Sequence, residues 1–325
     1  MALSTSPVLA GDDAAAGGEG WTITDRQHDE LPGRRIDIKE HERPIASFIY
    51  GEGQMKAYLA VYDDEGNLLT NPGLNPDGST RGRFPHHRGI FVGWNHLHSD
   101  LGRDDLWHLR RGEQIVLHEI IHKRSDEDSA TLVVDLHWLS ANRDDDLEGL
   151  LLVERRTITV SRPDGRTRID HHSKLTAARD IRLEGDLHHA GVQFRADAEV
   201  DNHRGRTVYL WEPAALPPGG GRVVSDELRW VNFRFPLHEN WYSVTQINPP
   251  ANKVQELSWR DYGRFGFFFT ERLDRGETLE MVYRFLIDRT DSPAAEAEAR
   301  AEQDAALRRK ADADHEAFAR EHPEQ

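Results

Sequence analysis

The stretch LEGLLLVERRTITVSRPDGRTRIDHHSKLTAA, residues 147–178, decides the fold. Two runs alternate apolar and polar residues with a period of two and meet at Pro163-Asp164-Gly165. That alternation puts successive side chains on opposite faces of a strand, and Pro-Asp-Gly is turn chemistry, so the stretch reads as antiparallel strands. The same grammar extends outward. TLVVDLHWLSA precedes it, and WTITD, RRIDIKE, IASFIYG and QMKAYLAVYD come earlier still, separated by Gly, Pro and Asp turns such as Asp63–Asn67. Downstream lie DIRLEGDLHHAGVQFRADAEV, TVYLWEP, LRWVNFRFPL, YSVTQINPP, RFGFFFTERL and GETLEMVYRFLID. No helical pattern is long enough to cover a parallel sheet. The expected architecture is therefore all-β, a large antiparallel β-sandwich spanning residues 21–290.

The ends differ from the body. Residues 1–20 are rich in Ala, Gly, Ser and Asp, and disorder is expected there. Residues 291–325 are rich in helix formers, with Ser292-Pro293 as the expected helix start and Leu307, Ala311 and Phe318 able to share one thin face. Such a helix packs lightly on the sandwich or engages another subunit, so a homo-oligomer stays open. The net charge of −16 over 325 residues argues against a nucleic-acid or acidic-membrane partner. There is no cysteine, which removes disulfides and thiolate chemistry. No apolar run is long enough to span a bilayer, and the N-terminus lacks a signal-peptide pattern. A cytoplasmic protein is the expectation.

One segment is chemically distinct. Residues 83–122, RFPHHRGIFVGWNHLHSDLGRDDLWHLRRGEQIVLHEIIH, hold seven of the 18 histidines. Buried imidazoles each need a partner, so this density suggests a polar site lined with aromatics. Pro85-His86-His87-Arg88-Gly89, ahead of IFVGW, reads as a rigid platform at a strand mouth, with loop capping as the plainer alternative. In DDLWH, Trp107 is a candidate stacking platform beside Asp105 and His108, or else a core tryptophan next to a turn. Ile115–His122 reads as a buried strand, on which His118 and His122 share a face but stand about 13 Å apart, too far for one metal ion. In residues 185–197, GDLHHAGVQFRAD, the alternation sets His189, Gly191, Gln193 and Arg195 on one side and an apolar row on the other. His171-His172 reads as a solvated face.

PHHRGIFVGWN, DDLWH, GEQIVLHE and the closing NPPAN, WRDYGRFGFF and LDRGETLEMVYRFLI resemble the bacterial PmoA-like family, labelled "methane oxygenase PmoA", over residues 43–288. That family is similar in character to galactose-mutarotase-like β-supersandwiches, which include epimerases, lyases and hydrolases of sugars. The label does not imply a methane monooxygenase, whose subunit of that name is membrane-embedded. A carbohydrate-active enzyme is the reading that follows, with His87, Arg88 and His189 as the catalytic set. His86, Trp94, Asp105, Trp107, His108, His118, Gln193 and Arg195 would bind a small sugar or glycoside. Elimination or hydrolysis is favoured over epimerisation, because arginines suit an enolate-like intermediate. A non-catalytic sugar-binding scaffold is the alternative. No cofactor is named. The wealth of His and carboxylates is compatible with a divalent metal, but ligand spacing gives that no support. Walker, GxGxxG and GxSxG motifs are absent.

Overall fold

The computed structural model describes residues 20–186, 188–212, 216–217, 219–225, 227–254 and 256–323. The N-terminal stretch expected to be disordered lies outside them up to residue 19. The strands are β1 (Trp21–Gln27), β2 (Arg34–Glu40), β3 (Arg43–Tyr50), β4 (Tyr58–Val61), β5 (Ile90–Trp94), β6 (Leu97–Ser99) and β7 (Gly102–Asp104). There follow β8 (Gln114–Ser125), β9 (Ser129–Leu139), β10 (Leu150–Ser161), β11 (Thr167–Ala177), β12 (Ile181–Leu183), β13 (Ala190–Arg195) and β14 (Val208–Trp211). The last are β15 (Gly221–Val224), β16 (Trp230–Leu237), β17 (Asn240–Ile247), β18 (Glu256–Arg260), β19 (Arg264–Phe268), β20 (Glu271–Leu273) and β21 (Thr278–Thr290), before helix α1 (Ala297–Glu321).

They form a nine-stranded sheet ordered β1-β2-β3-β4-β5-β13-β19-β18-β15 and an eight-stranded sheet ordered β14-β16-β17-β21-β11-β10-β9-β8. A third sheet, β20-β12-β6-β7, is small. The strand pairings are antiparallel, and β10 and β11 make the hairpin read from residues 147–178, with Val160 opposite Ile169. The expected all-β antiparallel sandwich with a C-terminal helix is the observed architecture. One apolar core draws on both large sheets, from Ile36, Ile90, Val92, Val192 and Phe265 in one to Leu132, Ile158, Ile169 and Phe285 in the other.

Three local expectations are corrected. β8 is the edge strand of the eight-stranded sheet and is largely exposed beyond Ile115, so 115–122 is not a buried strand. Register shifts near His118 and His122 also break its alternation. His171 is not on a solvated face: it faces the core at 1% exposure, because β11 alternates in step with Ile169 and Leu175. The helix begins at Ala297 rather than at Ser292-Pro293, and the Gln303 side chain instead ties Ala294 N–H to the Ser292 carbonyl.

What positions the site is the outer face of the nine-stranded sheet. Ile90, Val92 and Trp94 turn inward from β5, leaving Phe91 and Gly93 outward. Outward Phe91 joins Ile49, Tyr58, Ala60 and Trp107 in a second, smaller apolar cluster. The loops at 71–89 and 105–113 fold onto that face and cover it.

Candidate functional site

The loop carrying His86 and His87 is pinned from below. Asn71 Nδ2 donates to the His87 carbonyl at 2.7 Å, and His87 N–H closes a turn onto Phe84 O at 3.0 Å. His87 is 1% exposed and accepts at Nε2 from the Trp107 indole N–H at 3.0 Å. Tryptophan only donates, so the remaining proton of a neutral His87 sits on Nδ1, which has no partner. Burial, then the neighbouring His86, hold its pKa well below the ordinary histidine value. Trp107 is fully buried, its carbonyl taking a 2.7 Å bond from Lys56 Nζ, which lies 4.3 Å from the centre of the Phe91 ring. These groups make a floor from which water is excluded.

Above the floor stand two Asp–His pairs of the same design. Asp105-Leu106-Trp107-His108 and Asp186-Leu187-His188-His189 both read D-L-x-H. In the first, Asp105 Oδ1 accepts from His108 N–H at 2.9 Å, and Oδ2 meets His108 Nδ1 at 2.8 Å. In the second, Asp186 Oδ1 accepts from His188 N–H at 3.1 Å and meets His189 Nδ1 at 2.5 Å. Asn95 grips Asp186 from the other side, Nδ2 to Oδ2 at 2.7 Å and Oδ1 from the Asp186 amide at 2.8 Å. Each aspartate is an acceptor only, so it draws the imidazole proton to Nδ1 and leaves Nε2 as a free lone pair. The two rings lie 5.0 Å apart between centroids, with His86 4.6 Å from His108 and Trp107 edge-on 5.4 Å from His189.

Electrostatics keep His86 and His189 neutral. Burial lowers the His189 pKa, outweighing the pull of Asp186 in the other direction. Burial, followed by Lys56, brings His86 down to about 2. Burial works to raise the Asp105 carboxyl, but the His108 ring and the backbone amides outweigh it and hold it at about 2. Both dyads remain reachable, with side-chain exposures of 15% for His108 and 29% for His189. Two half-open bases over a dry floor can accept and return protons on a bound molecule.

The structure therefore brings together His86, His87, Asp105, Trp107, His108 and His189. Five other sequence candidates stand differently. Arg88 is buried, directing its guanidinium to Gln54 and the Pro85 carbonyl as a strut of the loop. Trp94 turns into the core and donates to the Phe269 carbonyl, while Trp107 is covered, so neither indole offers a stacking face. His118 is stacked on His137 at 3.9 Å on the edge strand of the other sheet. Gln193 and Arg195 occupy the outward face as the alternation predicts, but fully buried rather than lining an open cleft. Sequence reasoning passed over Asp186, Asn95, Lys56, Arg264, whose guanidinium is 5.8 Å from the Trp107 ring, and Tyr262, whose ring stacks on His87 at 6.2 Å. The repeated D-L-x-H was the available signal for Asp186. Among the described residues, no group of three or more His, Asp or Glu side chains is arranged to share a metal ion.

Sheet order and site together define an antiparallel β-sandwich with a paired imidazole–carboxylate centre on one outer face. The chain belongs to the family described as a family of unknown function (DUF6807), whose model matches residues 35–302. No curated protein matches it. Among solved structures it is similar to the alpha-galactosidase from Lactobacillus brevis, at 9% identity and TM-score 0.40, covering 84% of this chain and 39% of that one. The galactose mutarotase related enzyme from Lactobacillus acidophilus aligns at 7% identity and TM-score 0.39 over 86% of this chain and 97% of that one. A galactose mutarotase-like protein from Clostridium acetobutylicum aligns at 8% identity and TM-score 0.38 over 84% and 100%. The chain thus spans well under half of the alpha-galactosidase. No residue role or activity is carried over from these proteins.

Proposed function

We propose that the protein is a carbohydrate-active enzyme that works by histidine acid–base chemistry on a sugar or glycoside. One observation carries this reading: two Asp–His dyads of the same D-L-x-H design, 5.0 Å apart between rings, above an aromatic floor. The resemblance to the PmoA-like family points to the same substrate class. His189, neutral at pH 7, takes a proton from the substrate at Nε2, and His108, entering the cycle as the imidazolium with Asp105 as its counter-ion, gives its Nε2 proton to the departing oxygen. In an elimination the C–H electron pair becomes the new C=C bond as the neighbouring C–O bond breaks, and the leaving alkoxide receives the His108 proton. In a hydrolysis His189 takes its proton from water, whose oxygen bonds to the anomeric carbon as the glycosidic C–O bond breaks and the leaving oxygen receives the His108 proton. Either is favoured over epimerisation, which needs no proton on a leaving group.

The test is incubation with a panel of oxidised and unoxidised glycosides, followed by mass spectrometry. His108→Ala and His189→Ala should each lower turnover about 10²- to 10⁴-fold with the melting temperature little changed. Full turnover in either variant would refute the pairing. The burial of His87, Arg88 and Trp107 favours a second reading, a non-catalytic sugar-binding scaffold; it predicts no product at any enzyme concentration.

A further inference from the structure

Three arginines stand in a row across the site's sheet. Arg195 on β13 is directly opposite Arg264 on β19, which is directly opposite Arg260 on β18. They alternate with the inward residues Phe194, Phe265 and Trp259, so all three lie on the outer face, beside the histidines. Like charges directly opposed across strands repel, and burial worsens the cost. Arg195 and Arg264 are 0% and 1% exposed, while Arg260 is half-buried.

Neutralisation is incomplete. Among the described residues, the only carboxylate within ion-pair distance of the row is Asp201, 3.7 Å from Arg195 Nη2 and itself bonded to Arg204 at 3.1 Å. Arg264 spends Nη1 on neutral acceptors, Gln193 Oε1 at 2.8 Å and Ser258 Oγ at 2.9 Å. The buried atoms left without partners include Arg195 Nε and Nη2, Arg264 Nε and His87 Nδ1. Every one is a donor, His87 Nδ1 because its Nε2 is committed to Trp107. The row adjoins the dyads: the Arg264 guanidinium is 5.8 Å from the Trp107 ring, which is 5.4 Å from His189. A water molecule could accept from these donors but would leave the charge uncompensated. A planar or tetrahedral oxyanion meets both needs.

We infer that the substrate is an acidic sugar, whose carboxylate or phosphate seats at the half-exposed Arg260 end of the row, with the Arg264 and Arg195 charges behind it, while its ring lies against His108 and His189. This rests on the carbohydrate reading above and narrows it. It also explains why a protein of net charge −16 keeps a buried cationic row beside its histidines.

Isothermal titration of the full-length chain with D-glucuronate, D-galacturonate, D-glucose 6-phosphate, D-glucose and D-galactose tests it. At least one acidic sugar should bind about tenfold or more tightly than its neutral parent, with the uronate and phosphate arms telling the two anions apart. Arg264→Gln should abolish the preference; should that variant not fold, Arg260→Gln at the rim should still weaken acidic-sugar binding and spare that of neutral sugars. Neutral sugars binding as tightly as acidic ones would overturn the inference and leave the carbohydrate reading standing. Absence of binding by all five would overturn both.

Discussion

Asp105 and Asp186 determine what the two exposed imidazoles can do, because each fixes the tautomer of the ring it holds. Asp186→Asn keeps an oxygen for the backbone amides but can present an N–H to His189, disfavouring the productive tautomer. We expect kcat to fall by about 10²-fold or more with KM little changed, read from initial rates on the substrate found by the glycoside panel. A raised KM at unchanged kcat would reduce Asp186 to a binding role. The pH profile follows from the same residues. His189 acts in its neutral form and burial lowers its pKa, so the acid limb of kcat/KM should lie below pH 6.5. A midpoint above 6.5 would exclude His189 as the base. The histidines of this site were legible in the sequence because HHRG, DDLWH and GDLHH concentrate titratable groups at strand ends. The arginine row was not, since alternation tells which side of a strand a residue takes but not which residue faces it across the sheet. Arg264 heads a run, RFGFFF, that reads as plain core until β13 is placed beside β19.

At the scale of elements, the long hairpins were readable and the interrupted strand was not. Residues 180–200 read as one strand-like run, but β12 ends at Leu183 and β13 starts at Ala190. Gly185 takes a positive φ of 62°, and the Asp186 carboxylate accepts from the His188 amide. That break lifts His189 off the sheet and into the site. Helix α1 lies on the opposite side of the sandwich, against the outer face of the eight-stranded sheet. Ala311 and Phe318 pack with Leu210, Trp230, Ile247 and Leu286, and Arg284 sits 4.2 Å over the Phe318 ring. Arg166–Asp314 and Arg284–Glu321 flank this seam at 2.6 and 3.0 Å. With so narrow an apolar face, Phe318 provides much of the docking. Phe318→Ala should cost about 3–5 kcal/mol in urea unfolding, while kcat of the folded enzyme stays at the wild-type value. A loss below about 1 kcal/mol would mean that the ion pairs, rather than the ring, hold the helix.

For the molecule as a whole, the buried imidazoles set a direction for stability against pH. His171 is enclosed between the sheets with both ring nitrogens unpartnered, and burial, then Arg156, brings its pKa down to about 3. His87 is depressed for the same leading reason. Once unfolded, each returns to an ordinary histidine pKa near 6.5. Between the two values the unfolded chain holds a proton that the native protein does not, so stability rises with pH across that interval and is complete above 6.5. Falling from pH 6.5 to 5 should cost about 2 kcal/mol for His171, with His87 adding in the same direction. Carboxylates such as Asp37, lowered by their hydrogen bonds and arginine neighbours despite burial, lose their contribution only as pH falls below the ordinary carboxylate range. The slope between pH 5 and 6.5 therefore belongs to the histidines. His171→Phe replaces an imidazole with orphaned nitrogens by a ring that needs no partner, in a core already lined by Ile169 and Leu175. Urea unfolding of that variant should show a shallower loss of stability between pH 6.5 and 5 than wild type. An unchanged slope would mean that His171 is protonated in the native core and has an acceptor there, contrary to its enclosure beside Arg156.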